Sequence, residues 1–223
     1  MQDKESYAAI VKDLSLFFKE HCIYEGINLQ IPKRGLTVVV GPSGSGKTCL
    51  LRALNRLNEC YSDCTVSGEV KLFLESRWYD IYNEKVCLPH LRRQVQMVFQ
   101  SPNVLPTTIE KNITLPLKMA GGVLKDSVEE ALSAVGLFDE VKDRLKKPAH
   151  TLSGGQQGRL CLARALALKP QILLVDEPTA NLDPEKTEEI EQLLMRLKKK
   201  MTVVAVTHDR SQADRMADKM FKM

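Results

Sequence analysis

The chain has 223 residues, 43% of them apolar and 27% charged, so it is long enough for one sizeable core, and its net charge of +4 comes from both signs. That modest balance excludes a nucleic-acid-binding tail. No stretch approaches the roughly 18 uninterrupted apolar residues of a membrane span, and Met1–Lys12 carries Asp3, Lys4, Glu5 and Lys12 instead of the apolar centre of a secretory signal. A cytosolic chain is expected, with Cys22, Cys49, Cys60, Cys64, Cys87 and Cys161 as free thiols. Cys60 and Cys64 are close in sequence, but no His or second Cys pair follows at metal-ligand spacing.

In chain order, Ala8–Phe18, Glu25–Ile31 and Gly68–Leu74 partly alternate apolar and polar residues, the pattern of antiparallel strands. Leu36–Val40 is apolar throughout and ends at a glycine. Val95–Phe99, Ile172–Val175 and Thr202–Thr207 have the same character. Such runs predict central strands of a parallel sheet covered on both faces. Helices are expected over Lys47–Leu57, Ser127–Val135, Gly155–Leu168 and Pro184–Lys200. The last of these opens at Asp183-Pro184, an N-cap followed by proline, and closes on Lys198–Lys200, where cations suit the helix dipole. Ser101–Lys147 holds no strong strand and reads as a mainly helical insert.

Three sets of residues at strand ends carry chemistry. Gly41-Pro42-Ser43-Gly44-Ser45-Gly46-Lys47-Thr48 follows one strand and opens a helix. Glycines let backbone N–H groups turn inward around an anion, and the helix N-terminus adds positive charge. Lys47 is expected to reach β- and γ-phosphates and Thr48 to offer its hydroxyl to Mg²⁺. Ile172–Val175 runs into Asp176 and Glu177, placing two acids where open α/β sheets bind ligands. Asp176 is the expected Mg²⁺ ligand and Glu177 the general base that polarises water. Thr202–Thr207 ends at His208, within reach of a γ-phosphate.

Leu152-Ser153-Gly154-Gly155-Gln156 completes an ordered set that resembles the nucleotide-binding subunit of ATP-binding-cassette (ABC) transporters over nearly the whole chain. The resemblance implies an α/β fold: a P-loop NTPase (RecA-like) core with a mostly parallel sheet, an antiparallel β subdomain and an inserted helical subdomain. It implies one domain over 1–223, with core and β subdomain at about 1–100 and 169–223 and the insert at about 101–168. ATP and Mg²⁺ are the implied cofactors. Two copies are expected to pack head to tail, each ATP lying between Gly41–Thr48 of one and Ser153, Gly154, Gly155 and Gln156 of the other. A second anion-binding helix start has no use within one chain for a single nucleotide.

By the same resemblance Gln100 touches Mg²⁺ and the attacking water, and Asn181-Leu182-Asp183 crosses the dimer interface. Phe18 stacks on adenine, with Phe17 as its rival. Glu177, His208, Lys47 and Gln100 are then the catalytic set. The chain departs from the family pattern at Thr48-Cys49, where Ser-Thr is commoner, and at Gly158, where a longer polar residue is frequent. No regulatory domain is expected after Met223.

Membrane permease subunits are the implied partners, a solute-binding protein completes the complex, and the chain is expected on the inner face of the cell membrane. Import is expected over export, since nothing membrane-spanning is fused here. Arg52–Glu59, Val98–Asn103 and Pro106–Ile113 look like phosphate-importer ATPases, and somewhat like other oxyanion or amino-acid importers. Ser101–Leu117 is expected to receive a helix of the permease, with Pro102, Pro106 and Pro116 breaking it into stiff pieces. A soluble ABC regulator shares every ATP motif, but usually carries two cassettes or a long coiled coil. A P-loop small-molecule kinase leaves Leu152–Gln156 without a task.

Overall fold

A computed structural model describes residues 6–122, 127–180 and 184–223. Two sheets organise them. The strands β1 (Tyr7–Phe18), β2 (His21–Pro32), β4 (Cys64–Leu74) and β5 (Arg77–Asp80) form an antiparallel sheet in the order β2-β1-β4-β5. The strands β3 (Leu36–Val40), β6 (Val95–Val98), β7 (Ile172–Asp176), β8 (Thr202–Thr207) and β9 (Lys219–Lys222) form the second, in the order β6-β7-β8-β3-β9. Every pairing in this sheet is parallel. The helices are α1 (Lys47–Ala53), α2 (Leu88–Gln94), α3 (Ile109–Met119), α4 (Ser127–Ala134), α5 (Phe138–Val141), α6 (Gly154–Ala167), α7 (Pro184–Leu197) and α8 (Arg210–Met216).

The continuous apolar runs have a direct cause. Successive side chains of a strand point to opposite faces, and here both faces are covered. Val38, Leu173, Val175, Val203 and Ala205 pack into one core with α3, α4, α6 and α7. Val39, Leu174, Val204 and Val206 pack into the other, with Leu50, Leu51 and Leu54 of the α1 region and Leu14, Leu16 and Leu72 of the antiparallel sheet. A parallel sheet covered on both faces has no use for polar alternation.

Several expectations need adjusting. The helix expected over Lys47–Leu57 stops at Ala53, and Arg56 takes a left-handed backbone, φ 57°, before a short 3₁₀ turn at Leu57–Cys60. Pro116 does not break the Ser101–Leu117 segment; it lies inside α3, with Ile113 and Leu117 of the same helix buried. The proline removes one N–H near the last turn, and burial of the apolar face outweighs that loss. Pro184–Lys200 is helical only to Leu197. Asn181, Leu182 and Asp183 lie outside the described residues. Among the described residues no helix is long and apolar enough to cross a membrane.

Leu174 is fully buried on β7, an interior strand of the parallel sheet. Leu174→Ala is expected to lower unfolding stability by about 3 kcal/mol through lost burial and the cavity left behind. Urea denaturation checks this, and an unchanged midpoint contradicts the packing described.

Candidate functional site

Parallel strands all end on the same side, so the loops that leave them meet there. The loop after β3 is the glycine-rich stretch Gly41–Gly46, and α1 begins at Lys47. Gly46 sits at φ 90°, and a Cβ there would meet Ile23 Cγ2 at 2.7 Å. A Cβ on Gly41 would meet Ser45 Oγ at 2.8 Å. Glycine is therefore required at both positions, by backbone conformation at one and close approach at both. Ser45 Oγ is buried without a hydrogen-bond partner. A buried hydroxyl in that state is costly unless a ligand oxygen or a donor meets it.

Lys47 is only 5% exposed. Its ammonium folds back over its own loop, donating to Gly41 O at 2.9 Å and Pro42 O at 2.8 Å, and lies 3.9 Å from Glu177 Oε1. The cation is thus held at the mouth of the loop by neutral carbonyl acceptors and one carboxylate.

Asp176 ends β7 and is buried. Burial pushes its carboxyl above the usual range, the Thr48 hydrogen bond works the other way, and neighbouring Glu177 adds to the rise. Thr48 Oγ1 donates to Asp176 Oδ1 at 2.9 Å. A hydroxyl and a carboxylate side by side are hard oxygen donors suited to Mg²⁺, which takes few protein ligands and keeps phosphates and water for the rest. Among the described residues no group of three or more His, Cys, Asp or Glu could hold a metal, so a cation here draws on that small donor set.

Glu177 adopts φ 42°, in the left-handed region. For a non-glycine residue this costs about 1–3 kcal/mol and persists only where the surroundings over-determine it. Its N–H donates to Val206 O at 3.2 Å, and Ala180 N donates back to Glu177 O at 3.1 Å, closing a turn. The carboxylate so aimed accepts a hydrogen bond from Gln100 Nε2 at 3.3 Å and lies 3.3 Å from His208 Nδ1. Ser43, Gln100, Glu177, Thr207 and His208 line one cavity of 420 Å³.

The remaining expected residues sit elsewhere. Ser153 caps α6: its Oγ accepts from Gln156 N at 3.3 Å, and its N–H donates to Gln156 Oε1 at 3.2 Å. The Gln156 amide also donates to Glu140 Oε2 at 2.8 Å, so this side chain is already engaged within the chain. Ser153, Gly154 and Gly155 line a different cavity, of 440 Å³, together with Gln100, Pro102 and Lys186. The chain does not bring them into its own phosphate loop's cavity.

Phe18 ends β1 opposite His21 and Cys64. Its ring meets Tyr61 edge-on at 5.8 Å and packs against the core cluster that Ile23 and Cys49 also join. Ile23 is the side chain that crowds Gly46. The register shift beside Leu16 and Phe17 lies in β2, where Ile23 is the extra residue, while Leu16, Phe17 and Phe18 pair regularly with β4, so the two phenylalanines keep opposite faces.

Asp209 is a residue the sequence reading passes over. Its N–H donates to Thr207 Oγ1 at 3.0 Å, and its carboxylate caps α8 by accepting from Ser211 N at 2.8 Å and Gln212 N at 3.3 Å. An Asp ahead of a polar-apolar heptapeptide was the available signal. The cap fixes the turn that carries His208. The Ser211 hydroxyl, donating to the same Asp209 oxygen at 2.7 Å, holds this carboxylate below an ordinary aspartate's 3.8 against the effect of burial, and the capped N–H groups add to it. The folded state therefore binds fewer protons, so the cap's contribution is complete above the unfolded value and lost as pH falls through the depressed one. Asp209→Ala is expected to cost about 1 kcal/mol at neutral pH, and the difference from the unsubstituted chain shrinks in acid. Urea titrations at both pH values test this; a pH-independent difference contradicts it.

The family model for the ABC transporter matches residues 24–180. The phosphate import ATP-binding protein PstB 2 of Aliivibrio fischeri is 46% identical over 218 residues, covering 96% of this chain and 79% of that protein. The phosphate import ATP-binding protein PstB of Pyrobaculum aerophilum is 50% identical over 213 residues, covering 93% of this chain and 83% of that one. Among solved structures, cbiO1 from Clostridium perfringens, part of the ABC transporter complex cbiONQ, superposes with a TM-score of 0.82 at 26% identity, covering 98% of this chain and 85% of that chain. The ATP-binding cassette MJ0796, solved as a dimer in a post-hydrolysis state bound to ADP and Pi, gives a TM-score of 0.80 at 30% identity, covering 96% and 94%. The glycine-rich loop, the acidic strand end and the capped Ser153 helix lie inside or along these matches, and the chain belongs to the ABC transporter family.

Proposed function

We propose that this chain is the ATP-hydrolysing subunit of an ABC importer that takes up phosphate. The observation that carries the ATPase reading is the meeting of Lys47, Gln100, Glu177 and His208 at the ends of adjacent parallel strands, above a buried Thr48–Asp176 pair. The phosphate reading rests on the relatives named above, since none of these residues meets a transported solute.

ATP lies with its phosphates along Gly41–Thr48. Lys47 exchanges the Gly41 and Pro42 carbonyls for phosphate oxygens. Thr48, Asp176 and Gln100 would hold Mg²⁺, which would supply positive charge to offset that of the phosphates. Glu177 orients a water and takes its proton, and His208 on its other side faces the same cavity. Phe18 stacks on the adenine.

Ser153, Gly154 and Gly155 head a capped helix away from the chain's own phosphate loop. In a head-to-tail pair they close over the nucleotide of the partner copy. Loss of phosphate charge on hydrolysis removes the contact that joins the two copies. The coil between β6 and α3, which begins next to Gln100, carries that change toward permease subunits at the inner face of the membrane. A solute-binding protein on the far side supplies the cargo.

Glu177→Gln is expected to lower ATP turnover by about a hundredfold or more while leaving ATP binding intact and trapping a dimer in size-exclusion chromatography. Hydrolysis at the unsubstituted rate contradicts the assignment of the base. For the solute, uptake of radiolabelled phosphate by cells is expected to depend on this chain. Undiminished phosphate uptake in its absence overturns that part of the reading.

A further inference from the structure

Gln212 lies on α8, 2% exposed, in the wall of the cavity that holds Glu177 and His208. Its amide nitrogen donates to Thr179 Oγ1 at 2.7 Å and to Glu191 Oε1 at 3.2 Å. Glu191, on α7, is buried as well and grips Arg215 on α8 by two prongs: Nη2 donates to Oε1 at 2.5 Å and Nε to Oε2 at 3.1 Å. Such a forked pair is rigid. It ties α7 to α8, and the Gln212 amide joins that pair, through Glu191, to Thr179.

Thr179 is the third residue of the turn that starts at Glu177 and closes with the Ala180 N–H on Glu177 O. We propose that Gln212 is a positioning residue for ATP hydrolysis: anchored by Glu191 and Arg215, it clamps Thr179 and so holds Glu177 in its left-handed conformation, with the carboxylate turned toward Lys47, Gln100 and His208. The inference rests on the ATPase reading above. A glutamate at φ 42° relaxes unless both sides of its turn are fixed. The Val206 carbonyl fixes the entry and the Gln212 amide fixes the exit. The other atom of that amide, Oε1, is buried with no hydrogen-bond partner. A glutamine kept only to satisfy the core would pair both of its ends. This one places its donor on the turn at the expense of its acceptor.

The test uses the full chain, with steady-state ATP hydrolysis and equilibrium ATP binding measured side by side. Thr179→Val keeps the shape and deletes the hydroxyl; Gln212→Leu deletes the donor; Thr179→Ser keeps the hydroxyl. Thr179→Val and Gln212→Leu are each expected to lower kcat roughly fivefold, with KM and Kd for ATP within about twofold. Thr179→Ser restores turnover, and the double variant is no slower than the slower single one, since both remove the same Gln212–Thr179 contact. Unchanged kcat in Thr179→Val overturns the clamp. So does a loss that falls on ATP affinity instead of turnover, or one that doubles in the combined variant. Unsubstituted chain and Glu177→Gln run as references. If the unsubstituted chain hydrolyses no ATP, the ATPase reading falls and the clamp with it. If it does and Thr179→Val matches it, the clamp alone falls.

Discussion

Charge held at the edge of a covered sheet governs this molecule. Lys47 is nearly buried, Asp176 is buried at the end of a central strand, and Glu177 beside it lies against both Lys47 and His208. An ammonium in that setting must be paired or hydrogen-bonded, because an isolated buried charge is far too costly. Here two loop carbonyls and a carboxylate at 3.9 Å do that work. Burial meanwhile pushes Asp176 upward, so ionising it carries a cost that a divalent cation relieves. A triphosphate with its cation offers each of these groups a better partner than the chain alone provides.

The fold follows from the need to hold those groups still. Parallel strands deliver loop after loop to one edge, and two cores, one on each face, lock the strands in place. The phosphate loop needs glycine where Ile23 and Ser45 crowd it, and α1 starts at the residue whose cation the site uses. The left-handed Glu177 is the strained member of the set. Hydrogen bonds to Val206 O and from Ala180 N hold the turn it opens. Gln100 and Ala180 line both the cavity of Glu177 and His208 and the cavity of Ser153, so one wall separates the two.

Much of this was legible from residue order. The β-branched runs ending in Gly41, Asp176 and His208 are strands of one parallel sheet, and their ends do meet. The helix start at Ser153–Gly155 was legible, and the structure adds the reciprocal cap between Ser153 and Gln156. Other features were hidden. β9 is short and half-polar because it borders the sheet, so Lys219–Lys222 lacks the apolar run of its neighbours. α1 ends early because Arg56 turns left-handed and its guanidinium reaches Ile81 O and Glu59, a tertiary choice that helical periodicity does not register. The left-handed Glu177 and the buried Gln212 are likewise invisible in one dimension, since each depends on groups far away along the chain.

Calorimetric titration of the unsubstituted chain with ATP, in the presence and absence of Mg²⁺, addresses the central point most directly. If the Lys47, Thr48 and Asp176 cluster is a cradle for triphosphate and cation, ATP binds in a one-to-one ratio per chain and Mg²⁺ tightens the complex. Heat no greater than dilution, with and without the metal, shows that these charges serve only the fold.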